Sequence, residues 1–203
     1  MSRTIHVIGN GDNAQLFDPR AKGARITCNL PPFPVHNVFA TCIVDFKMMR
    51  AMSEGSVQVP GDWVLGMRPK HWLEVNPSWR LRWHKQIKEF YTILPEYTQN
   101  YTDFNCGHMA THYACNKLKA DTIHMYGFDS IFDQNLRSCT DFYLNSDRSN
   151  TNNYRLAENW RPVWANLFNE FPDTQFVLYH QHNNIKLPLL PANVAIRAQG
   201  FTK

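Results

Sequence analysis

Gly9-Asn10-Gly11 ends the apolar run Thr4 to Ile8, and two glycines around an asparagine at the end of a strand can make a backbone cradle for a phosphate. The other reading is a tight turn with no ligand, because the same residues are ordinary turn chemistry. If a phosphate sits there, valine at Gly11 should abolish nucleotide binding in a protein that still folds. Asn105-Cys106-Gly107 leads into an apolar-periodic stretch from His108 to Leu118, so an anion could approach the unpaired amides of a helix start past Gly107. Asp129, in Gly127-Phe128-Asp129, stands just beyond a strand end, where it suits a ribose hydroxyl or service as a base. His180 and His182 follow the strand pattern Gln175 to Tyr179, and residues two apart can share a face and supply a general base. Structural or solvent-facing histidines are the alternative there. His108 and His112 have the helical spacing of zinc ligands, although Met109 follows His108 directly where metalloprotease chemistry needs glutamate. Otherwise they are two helix-surface histidines. No Asp-x-Asp pair follows a strand, so no divalent ion and no cofactor are signalled. Hydrolase Gly-x-Ser-x-Gly and Walker patterns do not occur.

Holding these groups together requires elements that end on a common edge. Thr4 to Ile8, Ala24 to Asn29, Thr41 to Phe46, Trp63 to Met67, Thr122 to Tyr126 and Gln175 to Tyr179 read as strands, with Val194 to Ala198 as an edge strand. Helical stretches fall at Ala14 to Phe17, Lys47 to Ser53, Trp83 to Leu94, His108 to Leu118 and Tyr154 to Phe171. This alternation predicts a single α/β, Rossmann-like domain with a mostly parallel sheet and helices on both faces. Asp45 then lies at a strand end near the first glycine turn. Residues 69–101, rich in Trp, Tyr and Pro, read as a variable lid, and the polar stretch 132–153 as a flap or substrate loop. Trp72, Trp79 and Trp83 either stack on a sugar or base or pack internally.

Composition bounds the rest. A chain of 203 residues with 43% hydrophobic content suits one domain with a sizeable core, and no stretch reaches the length of a membrane span. With no leader pattern, the expected location is cytoplasmic. Cysteines 28, 42, 106, 115 and 139 contain no Cys-x-x-Cys pair and fit reduced, buried thiols. The net charge is +4, and its densest basic stretch, Arg80 to Lys88, is either a solvated helix face or a surface for an anionic partner such as nucleic acid.

Ile-Gly-Asn-Gly-Asp-Asn at 8–13, Thr-Cys-Asn at 27–29, Asn-Cys-Gly at 105–107 and Ile-His-Met-Tyr-Gly-Phe-Asp at 123–129 resemble, in order and spacing, the small bacterial sialyltransferases and their relatives. In that family a Gly-Asn-Gly-Pro-Ser turn, an Arg-Cys-Asn strand end, a Thr-Ser-Gly helix start and a Gly-Ile-Asp strand end surround the nucleotide of a CMP-sugar. The resemblance implies a metal-independent glycosyltransferase that moves a sugar from a CMP- or UDP-type donor to a hydroxyl acceptor. Gly9, Asn10 and Gly11 would contact the donor phosphate or ribose, with Asn13 where the family has serine. Asn29 would lie at the phosphate region and Asp45 at the neighbouring strand end. Cys106 and Gly107 would face the sugar, and Gly127 to Ser130 would border the nucleoside. Asp103 falls where the family carries arginine, so a carboxylate-bearing sugar would be repelled there. Tyr143 or Tyr154 would steady the leaving phosphate. The family's catalytic histidine has no counterpart between His124 and His180, which leaves His180, His182 or Asp129 as the base. A non-catalytic nucleotide-binding protein, or transfer to a nucleic-acid acceptor, are the alternatives.

Overall fold

Short apolar runs that are continuous rather than alternating belong to parallel strands covered on both faces, and the chain folds accordingly. The computed structural model describes residues 2–132, 161–182, 187 and 190–198. Eight strands form one sheet in the order β5-β4-β3-β2-β1-β6-β7-β8, and every neighbouring pair is parallel. They are β1 (Thr4–Ile8), β2 (Ala24–Cys28), β3 (Ala40–Ile43), β4 (Trp63–Leu65), β5 (Ile87–Phe90), β6 (Thr122–Tyr126), β7 (Gln175–His180) and β8 (Val194–Ala198). The chain starts in the middle, works outward to β5, and returns to lay β6 on the free side of β1. Strand order therefore reverses between β1 and β6, where open α/β sheets form their ligand crevice.

Alternation along each strand splits the core into two layers. Ile5 and Val7, Ile123 and Met125, and Phe176 and Leu178 face α4 (Cys106–Asn116) and α5 (161–170), where they pack with Met109, Tyr113, Trp164, Leu167 and Phe168. The opposite face carries α1 (Phe46–Ser53), α2 (Met67–Val75) and α3 (Pro77–Arg82). Met48, Met49, Leu73 and Trp83 there cover Ile43, Trp63 and Leu65. Trp72 and Trp79 lie against Trp83, at 5.9 and 4.7 Å between ring centres, so these indoles pack on one another.

Two sequence expectations change. Trp83 to Leu94 is not a helix; a turn after Trp83 leads into β5, whose Trp63↔Ile87 and Leu65↔Phe90 pairing makes it the outer strand beside β4. The stretch read as a lid thus supplies α2, α3 and an edge of the sheet. The helix start near Ala14 is a 3-10 turn, Asp12–Leu16.

Candidate functional site

The glycine turn after β1 is joined to the turn after β6. Gly9 N–H donates to Tyr126 O (2.7 Å) and Gly11 N–H to Gly127 O (2.9 Å). A Cβ on Gly9 would lie 2.7 Å from Gly127 O, and one on Gly11 would strike the Asp129 carboxylate. The glycines at 9 and 11 therefore allow two backbones to meet, and their amides are spent on that contact. Gly127 itself adopts a left-handed φ of 74° against Ala14, which glycine accepts without strain.

The Asp129 carboxylate fills the space at the start of the 3-10 turn. It accepts from the backbone N–H of Asp12 and Asn13 and from Asn13 Nδ2 (2.7 Å), while Asn13 Oδ1 accepts from Gln181 N–H (2.9 Å). Burial raises the Asp129 pKa, and the Asn13 bonds partly oppose that shift. The Asp129 carboxyl thus occupies the turn that follows Gly11, beside the glycines where the sequence allowed a phosphate. Ser130 is half-buried in the following 3-10 turn, Asp129–Ile131.

Beyond β1, β2 and β3 the carboxyl edge is different. Asn10 and Asn29 are 9% and 5% exposed, and the Oδ1 of each is buried with no hydrogen-bond partner among the described residues. Asn29 has φ 50°, a left-handed conformation that non-glycine residues seldom hold. Its Nδ2 donates to Asp45 Oδ2 (3.2 Å), which fixes the amide so that the unpartnered atom is the acceptor. Asp45 also pairs with Arg68 (3.4 Å), whose guanidinium lies over the Phe46 ring at 4.7 Å. Although Asp45 is the N-cap of α1, its side chain makes no cap bond and turns to Asn29 and Arg68 instead. A buried acceptor without a donor costs about 1–3 kcal/mol. A ligand hydroxyl or amino group would relieve that cost, and a phosphate, which brings only acceptors, would not.

The α4 start is capped by its own side chains. Asn105 Oδ1 accepts from His108 N–H (3.0 Å) and His108 Nδ1 accepts from Asn105 N–H (3.1 Å), a reciprocal capping box. Gly107 makes room for the Phe128 ring rather than for a ligand. Cys106 Sγ donates to Cys42 O (2.8 Å), and burial raises the pKa of both thiols well above the usual cysteine range, so neither is a ready nucleophile. No family model, curated protein or solved structure matches the chain.

The histidines take separate roles. His180 Nδ1 accepts from His182 N–H (3.0 Å), the ring packs on Phe132 at 4.7 Å, and burial lowers its pKa against the opposing pull of Asp129. In its neutral form the His180 proton therefore sits on Nε2. His182 is exposed, its ring 5.5 Å from that of His180. His108 and His112 are not surface residues, being 0% and 2% exposed. His112 lies in a chain running from Asn116 Nδ2 to Tyr91 OH (3.0 Å), to His112 Nδ1 (2.6 Å), and from His112 Nε2–H to Glu170 Oε1 (3.2 Å). Among the described residues no group of three or more His, Cys, Asp and Glu side chains is arranged to hold a metal ion. Tyr143 and Tyr154 lie outside the described residues.

A half-open pocket that sequence reasoning missed adjoins this edge. Gly66, Arg68, Tyr91, Tyr101, Phe104 and Met109 are among its walls, and its enclosed room is about 20 Å³, enough for a water molecule. Arg68 had no sequence signal beyond ending a strand pattern, because the Asp45 it pairs with is 23 residues away. Among the described residues no helix is long and apolar enough to cross a membrane.

Proposed function

We propose that the carboxyl edge over β1, β2 and β3 binds a nucleotide-sugar of the CMP or UDP type, and that the protein transfers the sugar to a hydroxyl without a divalent ion. The supporting observation is the pair of buried, unpartnered acceptors Asn10 Oδ1 and Asn29 Oδ1 beside the strand-order reversal. They call for hydrogen-bond donors, which ribose hydroxyls and an exocyclic base amine supply. The order of motifs that resembles small sialyltransferases points the same way, as does the absence of an Asp-x-Asp pair. The donor phosphate is then held away from the Gly9-Asn10-Gly11 turn, whose flanking amides and adjoining helical start are already occupied. Thermal-shift measurements against CMP, UDP, GDP, their sugars and the free nucleosides test this reading. A ligand at one hundred times its Kd stabilises by about 2.7 kcal/mol, and cytidine or uridine alone should give part of the shift. Absence of any shift across the panel would overturn the reading.

A non-catalytic nucleotide-binding protein is the second reading. It draws on His180, whose Nδ1 is engaged by the His182 amide and is therefore not free to accept a substrate proton. Binding without consumption of any donor would favour it.

A further inference from the structure

We propose that the outer arm of the sheet, made of α2, α3 and the turn into β5, docks on an anionic lipid bilayer, with Leu81 entering the headgroup layer and Arg82 and Lys85 resting on lipid phosphates. The inference goes beyond the nucleotide-sugar reading and does not depend on it. Three observations lead to it.

The first is the distribution of charge. Residues 67–88 hold six basic side chains, at 68, 70, 80, 82, 85 and 88, against one acid, Glu74. That is a net charge of +5 in a chain whose total is +4, so the rest of the chain is slightly acidic. Lys70 pairs with Glu74 (3.9 Å) and Lys88 with Asp62 (3.4 Å), while Arg82 and Lys85 extend exposed from the end of α3 and the turn after it. Each Lys or Arg near an anionic bilayer strengthens its attraction about fivefold.

The second is what stands out among the cations. Leu81 and Val75, 75% and 63% exposed, are the most exposed large apolar side chains among the described residues, and they lie on either side of the Asn76-Pro77 corner between α2 and α3. Phe39 joins this edge from the start of β3, with Lys88 Nζ over its ring at 4.2 Å. A single exposed apolar side chain is ordinary, but apolar and basic side chains gathered on one arm have the composition of a surface that lies in the headgroup region. A nucleic acid calls for open aromatic faces on which bases stack. Here Trp72 and Trp79 turn to Trp83, and the Arg82 guanidinium lies over Trp79 at 4.9 Å, so the outward contacts are aliphatic. A second copy of the same arm would oppose like charges.

The third is that the surface is already built. None of the six residues of α3 is buried, yet Trp83 at its end is anchored against Trp63 of β4, 5.4 Å between ring centres. His84 Nδ1–H donates to Leu81 O (2.7 Å), and Ile87 N–H to Trp83 O (3.1 Å), which fixes the turn that carries Lys85. Docking therefore orders little backbone, and that preserves affinity.

The test is co-sedimentation of the full chain with vesicles of phosphatidylcholine alone and with vesicles of about two parts phosphatidylcholine to one part phosphatidylglycerol. Partitioning onto the mixed vesicles should be at least about tenfold stronger and should weaken as salt rises. Arg82→Gln/Lys85→Gln should lower it about 30-fold. Lys119→Gln/Arg197→Gln removes the same charge at exposed positions beside β6 and in β8, at least five strands from β5. At about 4.8 Å per strand these lie more than about 20 Å away, and the loss should stay within about threefold. Leu81→Ser should lower partitioning about 3- to 10-fold without changing the salt dependence. All of these side chains are exposed, so urea midpoints should stay at the wild-type value and separate lost docking from lost fold. Equal partitioning onto neutral and mixed vesicles, or none onto either, overturns the proposal, as does an equal loss from the two charge variants. A single-stranded oligonucleotide that strips the protein from vesicles and binds wild type and Leu81→Ser alike would assign the arm to nucleic acid instead. A dimer in sedimentation velocity that Leu81→Ser breaks, with no vesicle binding, would assign it to a second copy of the chain.

Discussion

Asn29 carries two costs at once, a left-handed backbone and a buried carbonyl oxygen without a donor, and both disappear in Asn29→Gly. Removing the orphan acceptor regains about 1–3 kcal/mol, which offsets the lost Asp45 bond and glycine's extra chain entropy. The free variant should therefore unfold no earlier than the wild type in urea, while its affinity for the nucleotide that stabilises the wild type falls about tenfold, the worth of one good hydrogen bond. A destabilised variant with unchanged affinity would make Asn29 structural. Gly11 behaves in the opposite way. Gly11→Val drives a side chain into the Asp129 carboxylate and Gly127 O, so it should lose about 1–3 kcal/mol of stability by urea denaturation. A fully stable Gly11→Val would contradict the close approach of the two turns. The glycine pair was legible in the sequence as a strand end and a turn, but its purpose was not. The backbone it makes room for comes from Gly127, more than a hundred residues along the chain.

At the scale of elements, the six inner strands stand out in the sequence because a parallel strand covered on both faces is a short apolar run, and the exposed edge strand β8 stands out through Val194 and Ile196. β5 does not, because Ile-Lys-Glu-Phe lies at the sheet edge with Lys88 paired to Asp62 (3.4 Å) and Glu89 to Lys117 (3.1 Å). Charges at an edge strand are common, and they erased the apolar signal. The Asn116–Tyr91–His112–Glu170 chain then ties β5's exit to α4 and α5. Tyr91→Phe leaves the buried His112 Nδ1 without its donor and should cost about 1–3 kcal/mol in urea denaturation; no measurable loss would show that the chain is not fixed. β1 and β6 carry a second polar pair, His6 and His124, stacked at 5.0 Å with Tyr126 and Tyr179 as partners. Burial lowers both pKa values, that of His124 to about 4, with Arg25 acting on His6 and Arg197 on His124 in the same sense. In the unfolded chain both titrate near 6.5. Between that pH and about 4 the unfolded state binds more protons than the folded one, so stability is full above pH 6.5 and declines toward pH 4. Urea midpoints across this range should fall with pH, and His124→Phe should flatten the slope; a slope that is unchanged in the variant would remove His124 from the account.

For the whole molecule, a parallel sheet separates two edges, and direction along the strands decides which surface can serve the site. The first strands run outward from β1 and end at Asn10, Asn29 and Asp45, so the crevice and the Arg68 pocket share the carboxyl edge. The basic stretch Arg80 to Lys88 spans the end of α3 and the start of β5, which places Arg82 and Lys85 toward the amino edge, whereas the Arg80 guanidinium lies over the Phe90 ring at 5.7 Å, at the carboxyl end of β5. These side chains are exposed, and next to them Leu81 is 75% exposed. In the sequence nothing separates this charge run from the glycine turn, because only the fold sets Arg82 and Lys85 at the other end of the strands. A nucleic acid held by Arg82 and Lys85 would lie a strand's length from Asp45. Replacing both with glutamine should therefore leave nucleotide affinity and donor turnover within about twofold of wild type, since surface charges beyond a Debye length of about 8 Å are largely screened at physiological salt. If the protein also binds an oligonucleotide, that binding should weaken steeply with salt and fall in the double variant without any change in turnover. A double variant that loses turnover together with oligonucleotide binding would show that the amino edge does serve the reaction, and a nucleic-acid acceptor would then be favoured.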